Sequence, residues 1–281
     1  MRTLSVTKIT QTIKTLFIEA NVDIGLSMLS ALQRHRESEV SPIGQSVLAQ
    51  IIENDEIAKT KRMPICQDTG MSVVFVKLGQ DVHLVDGDLN EAIHEGVRQA
   101  YRDGYLRKSV VSDPLFDRIN TKDNTPAVIH VDIVPGDQVE LEVMPKGFGS
   151  ENMSALKLFA PSAGLTGIKC FILETIKNAG PNACPPMIVG IGIGGTFEMA
   201  ALLAKKAVLR STDHPATDAR YAQLEVELLK EANELGLGPA GLGGTTTAMA
   251  INIETYPTHI ASIPVAINIS CHASRHAKAV V

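Results

Sequence analysis

Apolar residues change their spacing along this chain, and that alternation limits the possible folds more than any other feature. Val6, Ile9, Ile13, Leu16 and Ala20, then Ile24, Met28 and Leu32, recur at helical spacing and predict helix over 6–35 with a break near Asn21. A second periodic stretch over 43–52 follows Ser41 and Pro42, where proline is tolerated in a first turn, and predicts a helix ending near Asn54. Residues 72–78 are instead rich in β-branched side chains and predict a strand, before helical spacing returns over 89–101. Two further strands are expected over 127–134 and 138–144. Val139, Leu141 and Val143 alternate there with Glu140 and Glu142, which marks one solvated face, and the intervening Pro135-Gly136-Asp137 predicts that the two pair antiparallel.

Beyond Gly149 the pattern predicts helices over 151–159, 164–178, 196–209 and 217–235, and strands over 187–193, 245–253 and 263–269. Interleaved helices and strands predict an α/β fold with mixed sheets surrounded by helices. At 281 residues and 44% hydrophobic, the chain can bury a sizeable core, as one domain over 1–281 or as two intimate lobes. No repeat or linker interrupts it.

Charge and composition exclude several functions. Lys and Arg number 26 against 31 Asp and Glu, for a net charge of -5, and no basic run interleaves with aromatics, so nucleic acid is a poor partner. The N-terminal residues mix Lys and Thr into the apolar positions, which suits neither a signal peptide nor a membrane helix; a cytoplasmic protein is expected. Four cysteines without a C-x-x-C pair suggest a reducing compartment in which thiols can bind metal.

Five loop segments combine small residues with potential ligands: Pro64 to Gly70, Lys146 to Asn152, Cys184-Pro185-Pro186, Gly241 to Thr247 and Ser270 to His276. Glycine lets the backbone approach a ligand, and the N–H groups of such turns make anion-binding concavities. Cys66, Cys184 and Cys271 all fall in these loops beside predicted strands. Cys170 lies inside a helical pattern, where a small buried hydrophobe is expected. Three thiolates can hold three irons of a cubic cluster and leave the fourth open to a substrate carboxylate and hydroxyl, which suits dehydration of a hydroxy acid. Zinc is the competing metal, although its sites usually bring local ligand pairs that are absent here. Asp68 could exchange a proton with substrate or cap a turn; Gln67 could donate to a carboxylate or to backbone. His259, His272, His276, Arg107, Lys146 and Arg275 are further polar candidates.

Gly190-Ile191-Gly192-Ile193-Gly194-Gly195 matches the G-x-G-x-x-G of dinucleotide folds, but no second strand ending in an acidic residue follows its helix. Outside catalysis, the same thiols would suit an oxidisable cluster serving as an iron or redox sensor, or a zinc-stapled structural protein.

Taken together, Cys-Gln-Asp-Thr-Gly at 66–70, Lys-Gly-Phe-Gly-Ser-Glu-Asn at 146–152, Gly-Ile-Gly-Gly-Thr at 192–196, Gly-Leu-Gly-Gly-Thr-Thr-Thr at 241–247 and Cys-His-Ala-Ser-Arg-His at 271–276 resemble the class I fumarases and tartrate dehydratases. The resemblance spans essentially the whole chain. It implies the mixed α/β domain of that family and a [4Fe-4S] cluster on Cys66, Cys184 and Cys271. It further implies substrate contacts at Gln67, Asp68, Arg107, Gly147 and His259, with Asp68 moving a proton. Malate and fumarate are the implied substrate pair, with tartrate the nearest alternative. Because the one-chain enzymes continue into a second domain, the resemblance also implies an α subunit completed by a separate β subunit, as an α2β2 assembly.

Overall fold

The computed structural model describes residues 1–281. In chain order the first elements are strand β1 (Arg2–Ser5), helices α1 (Val6–Val22), α2 (Leu26–Ser38) and α3 (Pro42–Lys61), strands β2 (Met71–Gly79) and β3 (Val82–Val85), and helix α4 (Leu89–Asp103). Strands β4 (Val128–Val134) and β5 (Val139–Lys146), the single turn α5 (Phe148–Glu151), strand β6 (Ala155–Phe159), helix α6 (Gly164–Ala179) and strand β7 (Met187–Gly195) follow. Helices α7 (Phe197–Leu209) and α8 (Ala219–Glu234) and strands β8 (Ala248–Thr258), β9 (Ile263–Ser270) and β10 (Ala277–Val280) complete the chain. The α/β class with mixed sheets among helices is as the sequence indicates.

Two compact units result: residues 1–24, 55–147 and 275–281, and residues 25–54 and 148–274. The first holds a four-stranded sheet in the order β10-β5-β2-β4, plus a parallel β1-β3 pair. Its core comes from Ile9, Ile13 and Phe17 of α1, Ile93, Val97 and Tyr101 of α4, and Val74 and Leu141 of the sheet. Caps explain where these helices begin. Ser5 accepts from the N–H of Thr7, and Asp88 from that of Glu91, satisfying donors the first turn leaves without partners. Gly96 lets α4 close on α1, since a Cβ there would stand 2.7 Å from Ile13.

The second unit is a three-layer arrangement around a mixed sheet in the order β6-β9-β7-β8. Alternation along β7 sorts its two faces. Val189 and Ile191 join Ile172 of α6 and Leu228 of α8 in one core, while Gly190 and Gly192 face α7. A Cβ at either glycine would lie 2.2 or 2.1 Å from the carbonyl of Ala204 or Ala200, so the glycines seat a helix directly on the strand. Their G-x-G-x-x-G spacing therefore has a packing cause.

Several expectations need correction. β4 and β5 do not pair with each other: β2 lies between them, parallel to β4 and antiparallel to β5. The turn after β4 instead straddles the end of β2, with Gly79 N–H bonded to Gln138 O at 2.9 Å and Gln80 N–H to Val134 O at 2.8 Å. The helix expected over 151–159 is a single turn followed by strand β6, which pairs with β9. The third helix continues past Asn54 to Lys61, burying Asp55 and Ala58. Residues 6–38 are apolar enough to resemble a membrane span, yet the helix breaks over 23–25 as the sequence suggests.

Candidate active site

In the first unit, the 66–70 motif is a tight turn leading into β2. Asp68 Oδ1 accepts the Gly70 N–H at 3.0 Å, and the Asp68 N–H points at Cys66 Sγ at 3.4 Å. Gly70 adopts φ +78°, and a Cβ there would meet the backbone of Pro145 and Lys146 at 2.6 and 2.7 Å, so only glycine lets the two motifs touch. Tyr101, buried on α4, shares its hydroxyl proton between the Thr69 and Gly70 carbonyls, at 2.7 and 2.8 Å; burial holds that hydroxyl strongly toward its protonated form.

Gly147 closes the same group. A Cβ at that position would lie 3.3 Å from Asp68 Oδ2 and 3.7 Å from Arg275 Nη2. Arg275 is buried, and its Nη2 donates to the Asp68 carbonyl at 2.7 Å. Arg107 is joined through its backbone, whose carbonyl accepts from Thr69 Oγ1 at 3.0 Å, while its side chain is exposed. Gln67 is likewise exposed. Cys66, Gln67, Asp68, Arg107, Gly147 and Arg275 are thus brought together around one turn.

In the second unit, Cys184 and Cys271 meet at one end of the sheet. Cys184 adopts a left-handed conformation, φ 51°, and its carbonyl accepts the His272 N–H at 3.3 Å. Register explains this meeting: Ile188, near the start of β7, pairs with Ser270 at the end of β9. The 241–247 loop packs here too, with the Ala240 N–H bonded to Pro185 O at 2.9 Å and a Cβ on Gly241 falling 2.6 Å from Pro181. Gly149 lies beside Asn182, and Glu151 ties its motif to the sheet through Lys205 and through Asn268 Nδ2 at 2.8 Å.

His259 is placed elsewhere. It occupies the turn between β8 and β9, where its Nδ1 accepts the Ala261 N–H at 3.2 Å. The eight residues of β9, roughly 26 Å of strand, separate that turn from Cys271.

None of the four cysteines is in a disulfide. Cys170 is not the buried hydrophobe the helical pattern suggests: it is exposed on α6, and the neighbouring Glu174 carboxylate raises its thiol pKa. Within the described chain no three His, Cys, Asp or Glu side chains form a closed metal group. The donor chemistry nonetheless suits an iron-sulfur cluster better than a hard cation. The three candidates are thiols, and Cys66 Sγ already receives a backbone N–H, the kind of donor that cluster sulfurs accept.

One anion-binding loop has an internal occupant. Glu39, 2% exposed, receives the Thr245 N–H at 2.9 Å, Thr245 Oγ1 at 3.2 Å and the Ser41 N–H at 2.9 Å. A Cβ on Gly244 would stand 2.6 Å from its carboxylate. Burial raises this carboxyl's pKa, and the Ser41 and Thr245 donors more than reverse that, leaving it below its ordinary value. The 241–247 motif thus spends anion-binding capacity on holding residues 39–41. Composition hinted at the nest but not at its occupant. One open cleft, of about 660 Å³, lies away from the motifs and is lined by Gln33, Arg36, Glu37, Pro42, Gln45 and Ser46.

Comparison with known proteins agrees with the motifs. Residues 10–280 match a family model described as fumarate hydratase (Fumerase). A protein of Methanocaldococcus jannaschii named putative L(+)-tartrate dehydratase subunit alpha is 43% identical over 274 residues, covering 96% of each chain. L(+)-tartrate dehydratase subunit alpha of Escherichia coli strain UTI89 is 35% identical, and that of strain K12 34%, each over 88% of this chain and 82% of the relative. With five motifs, an α/β architecture and a near end-to-end match in agreement, the chain belongs to the fumarate hydratase (Fumerase) family of hydro-lyases, together with the L(+)-tartrate dehydratase alpha subunits.

Proposed function

We propose that this chain is the cluster-bearing alpha subunit of a cytoplasmic hydro-lyase that reversibly hydrates fumarate to (S)-malate. The observation that carries the reading is the Asp68 turn, in which a carboxylate fixed through Oδ1 presents Oδ2 beside Gly147, next to Cys66. Cys66, Cys184 and Cys271 would hold a [4Fe-4S] cluster, and their loop positions and thiol chemistry support that assignment. When bound, such a cluster supplies a Lewis-acidic iron that polarises a substrate hydroxyl.

The protein's own residues account for the remaining steps. Gln67, exposed beside Cys66, donates to a substrate carboxylate, and the exposed Arg107 pairs with the other. Gly147 leaves room for substrate to approach Asp68, because any Cβ there would crowd Oδ2. Asp68 takes the carbon-bound proton of malate in dehydration and returns it in hydration. The substrate contact that the resemblance implies for His259 does not fit a dicarboxylate held at Cys271 of the same chain, because β9 sets the two roughly 26 Å apart.

A separate beta subunit completes the site in an α2β2 assembly, a reading supported by relatives named as alpha subunits. Those same names favour a second reading, dehydration of L(+)-tartrate. The discriminating experiment is anaerobic reconstitution with the partner subunit and iron, followed by assay against malate, fumarate and both tartrate enantiomers. Turnover of malate and fumarate at rates well above tartrate supports the first reading; tartrate turnover alone replaces it with the second.

A further inference from the structure

Between α4 and β4 the chain makes an excursion over residues 104–127, and Arg107 lies at its outgoing foot. The two limbs are bonded to each other, Thr121 N–H to Val110 O at 2.9 Å and Ser112 N–H to Ile119 O at 2.8 Å. Asn124 stands at the returning foot, 0% exposed and in a left-handed conformation, φ 63°, that asparagine tolerates better than most residues. Both ends of its amide are used. Oδ1 accepts the Ser109 N–H at 2.8 Å, and Nδ2 donates to the Gly70 carbonyl at 3.2 Å. Thr69 makes a second tie, from its hydroxyl to the Arg107 carbonyl. On the other side of Arg107, Leu106 is buried and its N–H is bonded to Tyr101 O at 3.2 Å. Arg107 is therefore an exposed side chain on a backbone held from both sides, and the holding atoms include those of Thr69 and Gly70 at the end of the Asp68 turn. Local hydrogen-bond needs do not require this. Gly70 O already receives the Tyr101 hydroxyl at 2.8 Å, and Ser109 is exposed, so water could bond its N–H. What the Asn124 amide adds is the link between them.

We propose that Asn124 is a positioning residue for substrate binding: its buried amide clamps the backbone that carries Arg107 to the Asp68 turn, so that Arg107 and Asp68 meet one dicarboxylate at a fixed spacing. The proposal rests on the reading of Arg107 as the group that pairs with a substrate carboxylate. That pairing depends on geometry, because two parallel hydrogen bonds form only when the guanidinium fork faces both carboxylate oxygens. A backbone free to drift would keep the charge of Arg107 and lose the fit.

The test uses the full chain assembled with its partner subunit and iron, and measures KM and kcat for whichever dicarboxylate the assembly turns over. Parent, Asn124→Gly, Thr69→Val and Arg107→Gln are compared with the double variants Asn124→Gly/Arg107→Gln and Thr69→Val/Arg107→Gln. Glycine removes the amide and still accepts the left-handed backbone, so the change cuts the clamp without straining the loop. Asn124→Gly is expected to raise KM about tenfold while kcat stays within about threefold, the pattern of lost ground-state binding. In the Arg107→Gln background the same change should move KM less than about twofold, because both substitutions act on one interaction. A merely structural role would lower the unfolding temperature without making the KM effect depend on Arg107. Parental KM in Asn124→Gly overturns the proposal, as does a rise in KM that persists in full without Arg107, or a fall in kcat at unchanged KM. If Asn124→Gly does not fold, Thr69→Val cuts the other tie at nearly constant shape and carries the same two expectations, and parental KM there overturns the proposal. Parental KM in Arg107→Gln removes the reading of Arg107 as the substrate cation, and this proposal falls with it.

Discussion

Asp68 performs two tasks with two oxygens. Oδ1 accepts the Gly70 N–H and shapes the turn, while Oδ2 faces Gly147. Asparagine can still accept at Oδ1 but cannot take a proton, so Asp68→Asn should keep its thermal midpoint and lose roughly 10²- to 10⁴-fold in kcat. Asp68→Ala, lacking both, should also unfold earlier. The cysteines give a matching contrast at this scale. Replacing Cys66, Cys184 or Cys271 by Ser is expected to abolish iron incorporation on anaerobic reconstitution, read as iron content per chain. Cys170→Ser should leave it at the parental value, since that thiol stands exposed beside Glu174. Full iron content in any of the first three variants removes that residue from the ligand set. Helical spacing identifies the element that carries Cys170 but not its burial, because a residue on the border of an apolar stripe can fall on either side of the surface. Arg275 is legible as a loop cation, whereas its burial and its bond to Asp68 depend on the strand order that brings residue 275 beside residue 68.

Elements are legible wherever a period persists for three turns or more. Helices α1, α4, α6, α7 and α8 follow their patterns closely, as do strands β2, β7 and β9. Departures come where local signals are short or where pairing is at issue. Nine residues over 151–159 can satisfy either period, and the decision for strand comes from pairing with β9. The proline-glycine turn after β4 resembles a hairpin, yet a strand some 50 residues earlier in the chain occupies the gap, which no local pattern reveals. The glycines of β7 make a direct test of element packing. Gly192→Ala would press a methyl carbon against the Ala200 carbonyl, a backbone atom that cannot swing aside, and should destabilise by about 3 kcal/mol or prevent folding. Chemical denaturation decides it, and a variant as stable as the parent would mean that α7 does not sit on β7 as described. Glu39 anchors the neighbouring loop in the same way. Its pKa is lowered, so its stabilisation is present above pH 4.5 and is lost as pH falls through the folded value. Glu39→Gln should therefore cost about 1–2 kcal/mol near neutrality, with the deficit shrinking in acid.

At the scale of the whole molecule, charge supports the proposed partner subunit. A dicarboxylate brings two negative charges, and water addition needs one group to deliver a proton and another to handle hydroxide. Among the cations near the Asp68 turn, Arg275 is committed to Asp68 O and Asn21, and Lys146 Nζ is bonded to Gly147 O at 3.1 Å. Arg107 remains, exposed on its loop. With the hydroxyl assigned to the cluster and the carbon-bound proton to Asp68, the shortfall is in charge: Arg107 is one cation for two carboxylates, the other meeting only the neutral Gln67, so a second polypeptide should contribute at least another cation. Co-expression with the beta subunit is accordingly expected to raise kcat/KM for the dicarboxylate by several orders of magnitude over the reconstituted chain alone, while the iron content per alpha chain changes little. The iron measurement is what gives this comparison its force. If the partner raises iron content and turnover in proportion, its role is to complete the metal site, and the charge argument fails; if the chain alone turns over at the full rate, the partner is not needed at all.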